Sequence, residues 1–334
     1  MRSYFHSLDY LRGIAAVAVC LFHFTDKLDY LALDDLVKKV FNFGHYGVEV
    51  FFIISGFVIP FSMSKGHYNW KQLPIFLKKR FIRIEPPYLV CVLLCLVLNY
   101  MTTLSPFYVG LPFSINLVQL ISHIGYMNGL LGMDWLNPVF WTLAIEFQYY
   151  LLIALIFPLI SHPKSSVWGV TLVIFNALSF YFDRNYVFNF SLYFSIGIII
   201  YRYYWHALSV NGLLFWIFVL SSYCFYQYTY VEFIVSLLAI IFIILPLNPS
   251  GWGSFFGNLS YSLYLLHFPI GLRVISLTQR FVESELIRYT MVVVALAISV
   301  IAAYYYYLIL EQPFKKISQN MSYTSKEPSP EVPL

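Results

Sequence analysis

Apolar residues along the chain gather into ten runs: 10–25, 46–63, 87–104, 138–160, 167–182, 187–204, 212–228, 232–247, 258–277 and 287–310. A helix needs about 20 mostly apolar residues to cross a hydrocarbon core of about 30 Å. The pattern therefore predicts an all-α, polytopic integral membrane helical bundle of about ten transmembrane helices, with short connections. The longest connection, 105–137, is itself fairly apolar from Ile115 to Ile124 and from Met127 to Met133. It is expected to lie along the membrane interface or to fold back into the protein. Residues 318–334 are polar and carry Pro328, Pro330 and Pro333, which predicts a disordered tail after a single membrane domain spanning 1–317. No repeat of the kind that builds two-halved transporters is visible.

Composition narrows the class. The 334 residues are 60% hydrophobic and only 11% charged, with a mean hydropathy of +0.72, against about 25% charged residues in soluble domains. A soluble enzyme, a disordered chain and a nucleic-acid binder are excluded. The formal net charge of +4 is small, so its placement matters more. With the N-terminus cytoplasmic, Arg2, Arg12, Lys65, Lys71, Lys78, Lys79, Arg80, Arg83, Lys164, Arg202, Lys315, Lys316 and Lys326 fall inside. Lys27, Lys38, Lys39, Arg184, Arg273, Arg280 and Arg288 fall toward the other side. The positive-inside rule then predicts both termini cytoplasmic and an even number of spans. The start of the chain lacks a signal-peptide pattern and reads as an uncleaved first span. Cys20, Cys91, Cys95 and Cys224 all lie in apolar runs without zinc-like spacing, so neither disulfides nor a metal site is expected.

Ionisable residues inside apolar spans are costly and so are functional candidates. Arg12 and His23 are eleven positions apart on one helix, about 1100° of rotation, which places them within about 20° of the same face and about 16 Å apart. Asp26, one turn beyond, either orients the imidazole or begins the outer loop; the loop is the preferred reading. Glu146 lies about 12 Å into the span that starts near Pro138, at a level His23 can share. It needs a partner or a wet cavity, whether its role is chemical or structural. Ser260, Tyr264 and His267 form a polar stripe on an apolar helix, as hydrogen-bonded packing or as a ligand contact. Glu49 and Ser55 flank an apolar run beside Gly47 and Gly56, which also suits close helix contact. Lys78, Lys79, Arg80 and Arg83 precede Pro86–Pro87 at the expected start of the third span. They serve topology and anionic lipid, or Arg80 and Arg83, one turn apart, grip phosphates. No P-loop, GxGxxG, HExxH or DxD signature occurs. Asp34–Asp35 in the first outer loop keeps a lipid-linked glycosyltransferase open, although Lys38 and Lys39 beside them suit a solvated loop.

Five blocks in order resemble the acyltransferase family 3 membrane proteins over about 1–317. They are Ser7 to Gly13 with His23–Phe24, Gly47 to Phe57, Arg80 to Tyr88, Trp141 to Tyr150, and Ser260 to Pro269 with Leu310 to Phe314. Glu49 stands where Asp is common in the family, Phe147 where many members have a second Glu, and Tyr10 where Gly is frequent. Some members also carry a C-terminal esterase-like domain; none is expected from these residues, so transfer would be completed in the membrane domain or the acyl group handed on. The resemblance implies an O-acyltransferase, most simply an O-acetyltransferase, of the bacterial cytoplasmic (inner) membrane. Its donor would be acetyl-CoA or another acyl-CoA, with no metal, and its acceptor a hydroxyl of a carbohydrate or glycolipid. His23 would be the general base, with Glu146 and Arg12 as catalytic partners. Arg80, Arg83 and Arg12 would hold the CoA; Ser55, Trp141, Tyr264 and His267 would contact substrate. The lipid bilayer is the medium, no nucleic acid is involved, and a homo-oligomer is left open. A polytopic transporter or exporter of a polysaccharide or lipid-linked sugar is the alternative class.

Overall fold

The computed structural model describes residues 5–27, 30–106, 108, 112–205 and 208–321. Among them the secondary structure is entirely helical. Each of the ten apolar runs lies in a helix or a helical pair. In chain order these are α1 (His6–Asp26), α2 (Leu36–Asn42), α3 (Gly47–Lys65), α4 (Leu73–Thr103), α5 (Leu117–Ser122), α6 (Trp141–Ile160) and α7 (Ser165–Ala177). There follow α8 (Ser191–Trp205), α9 (Val210–Gln227), α10 (Tyr230–Ile244), α11 (Gly251–Leu266), α12 (Leu272–Gln279), α13 (Glu285–Tyr306) and α14 (Gln312–Asn320). Six helical segments are long and apolar enough to cross a membrane, and Ser165–Phe180 and Tyr230–Ile244 are shorter apolar helices. Leu93, Val97, Leu155, Val173, Phe218, Val293 and Ile301 remain exposed on outward faces, as lipid contact requires. The protein is an integral membrane protein.

Two expectations shift, and one left between alternatives is decided. The third span does not begin at residue 87. Helix α4 starts at Leu73 and runs through Pro86–Pro87 for 31 residues, about 46 Å. The basic cluster is thus part of the helix, and Arg80 is buried in it. The hydroxyls of Tyr261 and Tyr306 donate to the carbonyls of Ile84 and Pro87, so neighbouring helices support the proline-weakened stretch. The polar tail begins later than 318, because Ser318 to Asn320 belong to α14 and the Ser318 hydroxyl donates to the Lys79 carbonyl at 2.8 Å; residues 322–334 lie outside the described residues. Of the connection 105–137, the described stretch 112–137 folds back onto the bundle: His123 is fully buried against the Tyr88 hydroxyl at 2.7 Å, and the Asn137 amide donates to the Leu265 carbonyl at 3.2 Å.

Small residues set the closest helix contacts, as expected where lipid removes the usual hydrophobic drive between helices. A Cβ on Gly197 of α8 would stand 2.2 Å from the Ile53 carbonyl of α3, and one on Gly56 would stand 2.3 Å from the Phe194 carbonyl. Both obstacles are backbone and cannot rotate away. Gly197→Ala is expected to lower the thermal midpoint in detergent, since overpacking costs about 1–3 kcal/mol. Gly251→Ala, with open space around its Cβ, should leave the midpoint unchanged.

Candidate active site

Seven charged residues of the helices, Asp9, Arg12, Arg80, Arg83, Glu146, Glu311 and Lys315, line one cavity of about 320 Å³. Helix α1 contributes Asp9 and Arg12, α3 contributes Ser55, and α4 contributes Arg80 and Arg83. Glu146 and Tyr150 come from α6, Tyr261 and Tyr264 from α11, Glu311 from the turn Tyr307–Glu311 between α13 and α14, and Lys315 from α14. Four cations thus face three carboxylates. Glu146 Oε1 accepts from the Ser55 hydroxyl at 2.8 Å and from the Tyr150 hydroxyl at 2.6 Å. The Arg80 guanidinium lies over the rings of Phe76 and Tyr150, at 5.3 and 5.6 Å from their centroids, which fixes its long side chain against the cavity wall. Glu311 Oε2 accepts from the Ser262 hydroxyl at 2.6 Å, and Lys315 Nζ donates to Asn258 Oδ1 at 2.9 Å.

His23 does not line this cavity, and Glu146 does not touch it. The expected line Arg12–His23–Glu146 is therefore divided: Glu146 belongs with Arg12, Ser55 and Tyr150, and His23 belongs with His267. The two imidazoles stack with centroids 5.2 Å apart and planes 25° from parallel, and the Phe268 ring meets His23 edge-on at 5.6 Å. His267 is fully buried. Its Nδ1 lies 2.7 Å from the Tyr264 carbonyl; a carbonyl only accepts, so Nδ1 carries the proton and Nε2 presents a lone pair. That Nε2, like His23 Nδ1, is buried with no hydrogen-bond partner. The Tyr264 ring separates the pair from the cavity. Tyr264 lines the cavity, its hydroxyl is bonded to Thr142 at 2.7 Å, and its centroid is 5.7 Å from that of His267.

The remaining candidates fall into place on packing grounds. Trp141 packs on Phe190 at 5.4 Å and lies outside the cavity. Asp26 pairs with Lys38 at 3.7 Å rather than orienting His23. Asp35 caps α2 through the backbone N–H groups of Val37 and Lys38, and accepts from the Tyr289 hydroxyl. That structural use occupies one of the two carboxylates, Asp34 and Asp35, on which a glycosyltransferase reading would rest. Glu49 is half-buried, and its buried Oε2 has no hydrogen-bond partner.

Two breaks in helical phase deliver site residues. His267–Gly271, between α11 and α12, and Tyr307–Glu311, between α13 and α14, are single π-turns, a feature that recurs at functional sites. The first seats His267 against α1; the second turns Glu311 toward Ser262. Glu311, Lys315 and Tyr150 were not among the expected site residues. The signal for Glu311 was present, since it is an acid at the end of an apolar run.

Comparison with known proteins agrees with this architecture. The family described as "Acyltransferase domain" (acyltransferase 3) matches residues 5–308. The O-acetyltransferase OatA of Staphylococcus aureus (strain NCTC 8325 / PS 47) is 23% identical over 372 residues, covering 94% of this chain and 57% of the relative. A putative acetyltransferase of Acidianus two-tailed virus is 25% identical over 287 residues, covering 77% of this chain and 80% of the relative. A putative O-acetyltransferase of S. aureus (strain COL) is 23% identical, covering 94% and 58%. The chain thus spans little more than half the length of its staphylococcal relatives. No solved structure matches. A family match over nearly the whole helical bundle, with the charged blocks of that bundle meeting in one cavity, places the chain in the acyltransferase 3 family.

Proposed function

We propose that the protein is a membrane-bound O-acetyltransferase that moves an acetyl group from cytoplasmic acetyl-CoA to a hydroxyl of a carbohydrate or glycolipid at the far side of the bacterial cytoplasmic membrane. In this reading residues 1–317 act as one membrane domain of about ten spans, with both termini inside. The observation that carries it is the meeting of Arg12, Arg80, Arg83 and Lys315 at one cavity whose wall, Tyr264, backs onto the stacked His23–His267 pair. Paired guanidinium donors suit the phosphates of CoA. The acyl arm then extends along Ser55 and Tyr264 toward the imidazoles, and a shift of the Tyr264 ring admits it.

His23 is the general base. It takes the proton of the acceptor hydroxyl as that oxygen attacks the thioester carbonyl. The C–S bond of the resulting tetrahedral intermediate breaks, and the proton passes from His23 to the departing CoA sulfur. His267, held by the Tyr264 carbonyl, keeps the His23 ring in place and presents Nε2 to the reacting groups. Glu146 holds Ser55 and Tyr150 in position on the donor side. No metal takes part in these steps.

Mass spectrometry of surface glycans from cells with and without the protein tests the reading. An acetyl-sized mass difference that depends on the protein is the expected result. Identical glycan masses, with flux of an unmodified glycan lost instead, would favour an exporter.

A further inference from the structure

At the end of the bundle opposite the cations, two adjoining cavities of about 300 and 200 Å³ share Asn99, Leu136 and Arg273. Asn99 follows Arg83 by sixteen positions on α4, about 24 Å along the helix axis. The two ends of the molecule therefore open on opposite sides of the His pair. Arg273, from α12, donates through Nη1 to the Thr102 hydroxyl at 2.5 Å and through Nη2 to Asn99 Oδ1 at 2.6 Å. Its Nε is buried with no partner. No carboxylate among the described residues pairs with it. Further side-chain amides line the same cavities, Asn116 and Gln119 the larger and Asn137 the smaller, each anchored to the backbone: Asn116 Oδ1 accepts from the Gln119 N–H, and the Gln119 and Asn137 amides donate to the carbonyls of Asp134 and Leu265. The smaller cavity ends on Phe268 and Pro269, and the Phe268 ring is the one that meets His23 edge-on. Tyr264 thus separates the His pair from the cationic cavity, and Phe268 separates it from this amide-lined one.

We propose that this second groove is the acceptor site, and that it selects an acidic glycan. The Arg273 guanidinium would take a sugar carboxylate, and the amides would take the hydroxyls of neighbouring rings. A guanidinium held in place by two neutral acceptors, without a counter-charge, gains most from an anionic ligand. Amides that donate and accept at once suit vicinal hydroxyls. A sugar docked there would place one hydroxyl past Phe268 at His23, while the acyl group arrives past Tyr264. The proposal rests on the acyltransferase reading for its purpose, but the binding site itself does not depend on it.

The test uses the full chain in lipid nanodiscs and the probes trigalacturonic acid, neutral maltotriose, glycerol phosphate and acetyl-CoA. The acidic trisaccharide is expected to bind saturably, and maltotriose at least tenfold more weakly. Arg273→Gln should weaken the acidic trisaccharide tenfold or more, Arg273→Lys should restore most of it, and acetyl-CoA affinity should stay within twofold. Asn99→Asp, which places a carboxylate beside the guanidinium, should act like Arg273→Gln, and an unchanged thermal midpoint shows that each variant is folded. Equal binding of the acidic and neutral sugars, or Arg273→Gln without effect, would overturn the proposal. Binding of glycerol phosphate with no binding of the trisaccharide would do the same, by marking a lipid-headgroup site. Failure of acetyl-CoA to bind the unaltered protein would sink the donor reading and leave the groove to be decided by the sugars.

Discussion

His23→Ala, expressed in membranes at normal levels, is expected to lose acetyl transfer by about 10²–10⁴-fold, the range that a positioned acid–base group contributes. Acetyl-CoA affinity should change little, because His23 lies outside the cationic cavity. The geometry sharpens the expectation. His23 stacks on His267, so His267→Ala should also depress turnover, by unseating the His23 ring. His267→Asn, which keeps an N–H for the Tyr264 carbonyl, should recover part of that loss. A direct assay of acetylated acceptor with each membrane preparation distinguishes these outcomes. Full activity in His23→Ala would remove the proposed base.

The second large effect is on donor binding. Arg80→Ala/Arg83→Ala is expected to weaken acetyl-CoA by about 10²-fold or more, since each charge-assisted hydrogen bond contributes about 1.5–3 kcal/mol. The two positions are not equivalent. Arg80 is buried against Phe76 and Tyr150, so its removal also opens space in the wall, and a planar guanidinium packed on rings is not replaced by an ammonium. Arg83→Ala is the cleaner probe, and its effect should shrink as salt rises, because screening weakens the pairing. Isothermal titration in nanodiscs measures both. Unchanged affinity with altered helix orientation would assign the cluster to topology instead.

The helices were legible because apolar runs long enough to cross a bilayer have few alternatives. Much of the candidate cavity was legible for a related reason. A charge in lipid must find a partner or water, and Arg12, Arg80, Arg83 and Glu146 do so by facing one another's space. The division of Glu146 from His23 was not legible. Depth along each span placed them at one level, but level says nothing of azimuth, and azimuth depends on which helices touch. That is set by contacts such as Gly257 against Asp9 and Gly197 against Ile53, which join positions far apart in the chain. Spacing also fails across a π-turn, because one extra residue turns everything beyond it by about 100°. The stripe Ser260–Tyr264–His267 ends at such a turn, and Glu311 stands at the end of another.

The amino-acid sequence by itself determined that the chain is a helical membrane protein, which of its few buried charges deserve chemistry, and the family it resembles. These follow from local hydrophobicity and from the cost of charge in lipid, which each segment meets alone. The tertiary structure decided the partners. It joined His23 to His267 across α1 and the break after α11, gave Glu146 to Ser55 and Tyr150, brought Glu311 and Lys315 from the end of the bundle, and set Arg273 among amides at the opposite mouth. Apart from Glu146 and Tyr150, neighbours on one helix, those pairings depend on close packing between segments far apart in the chain, a property that no single stretch of sequence carries.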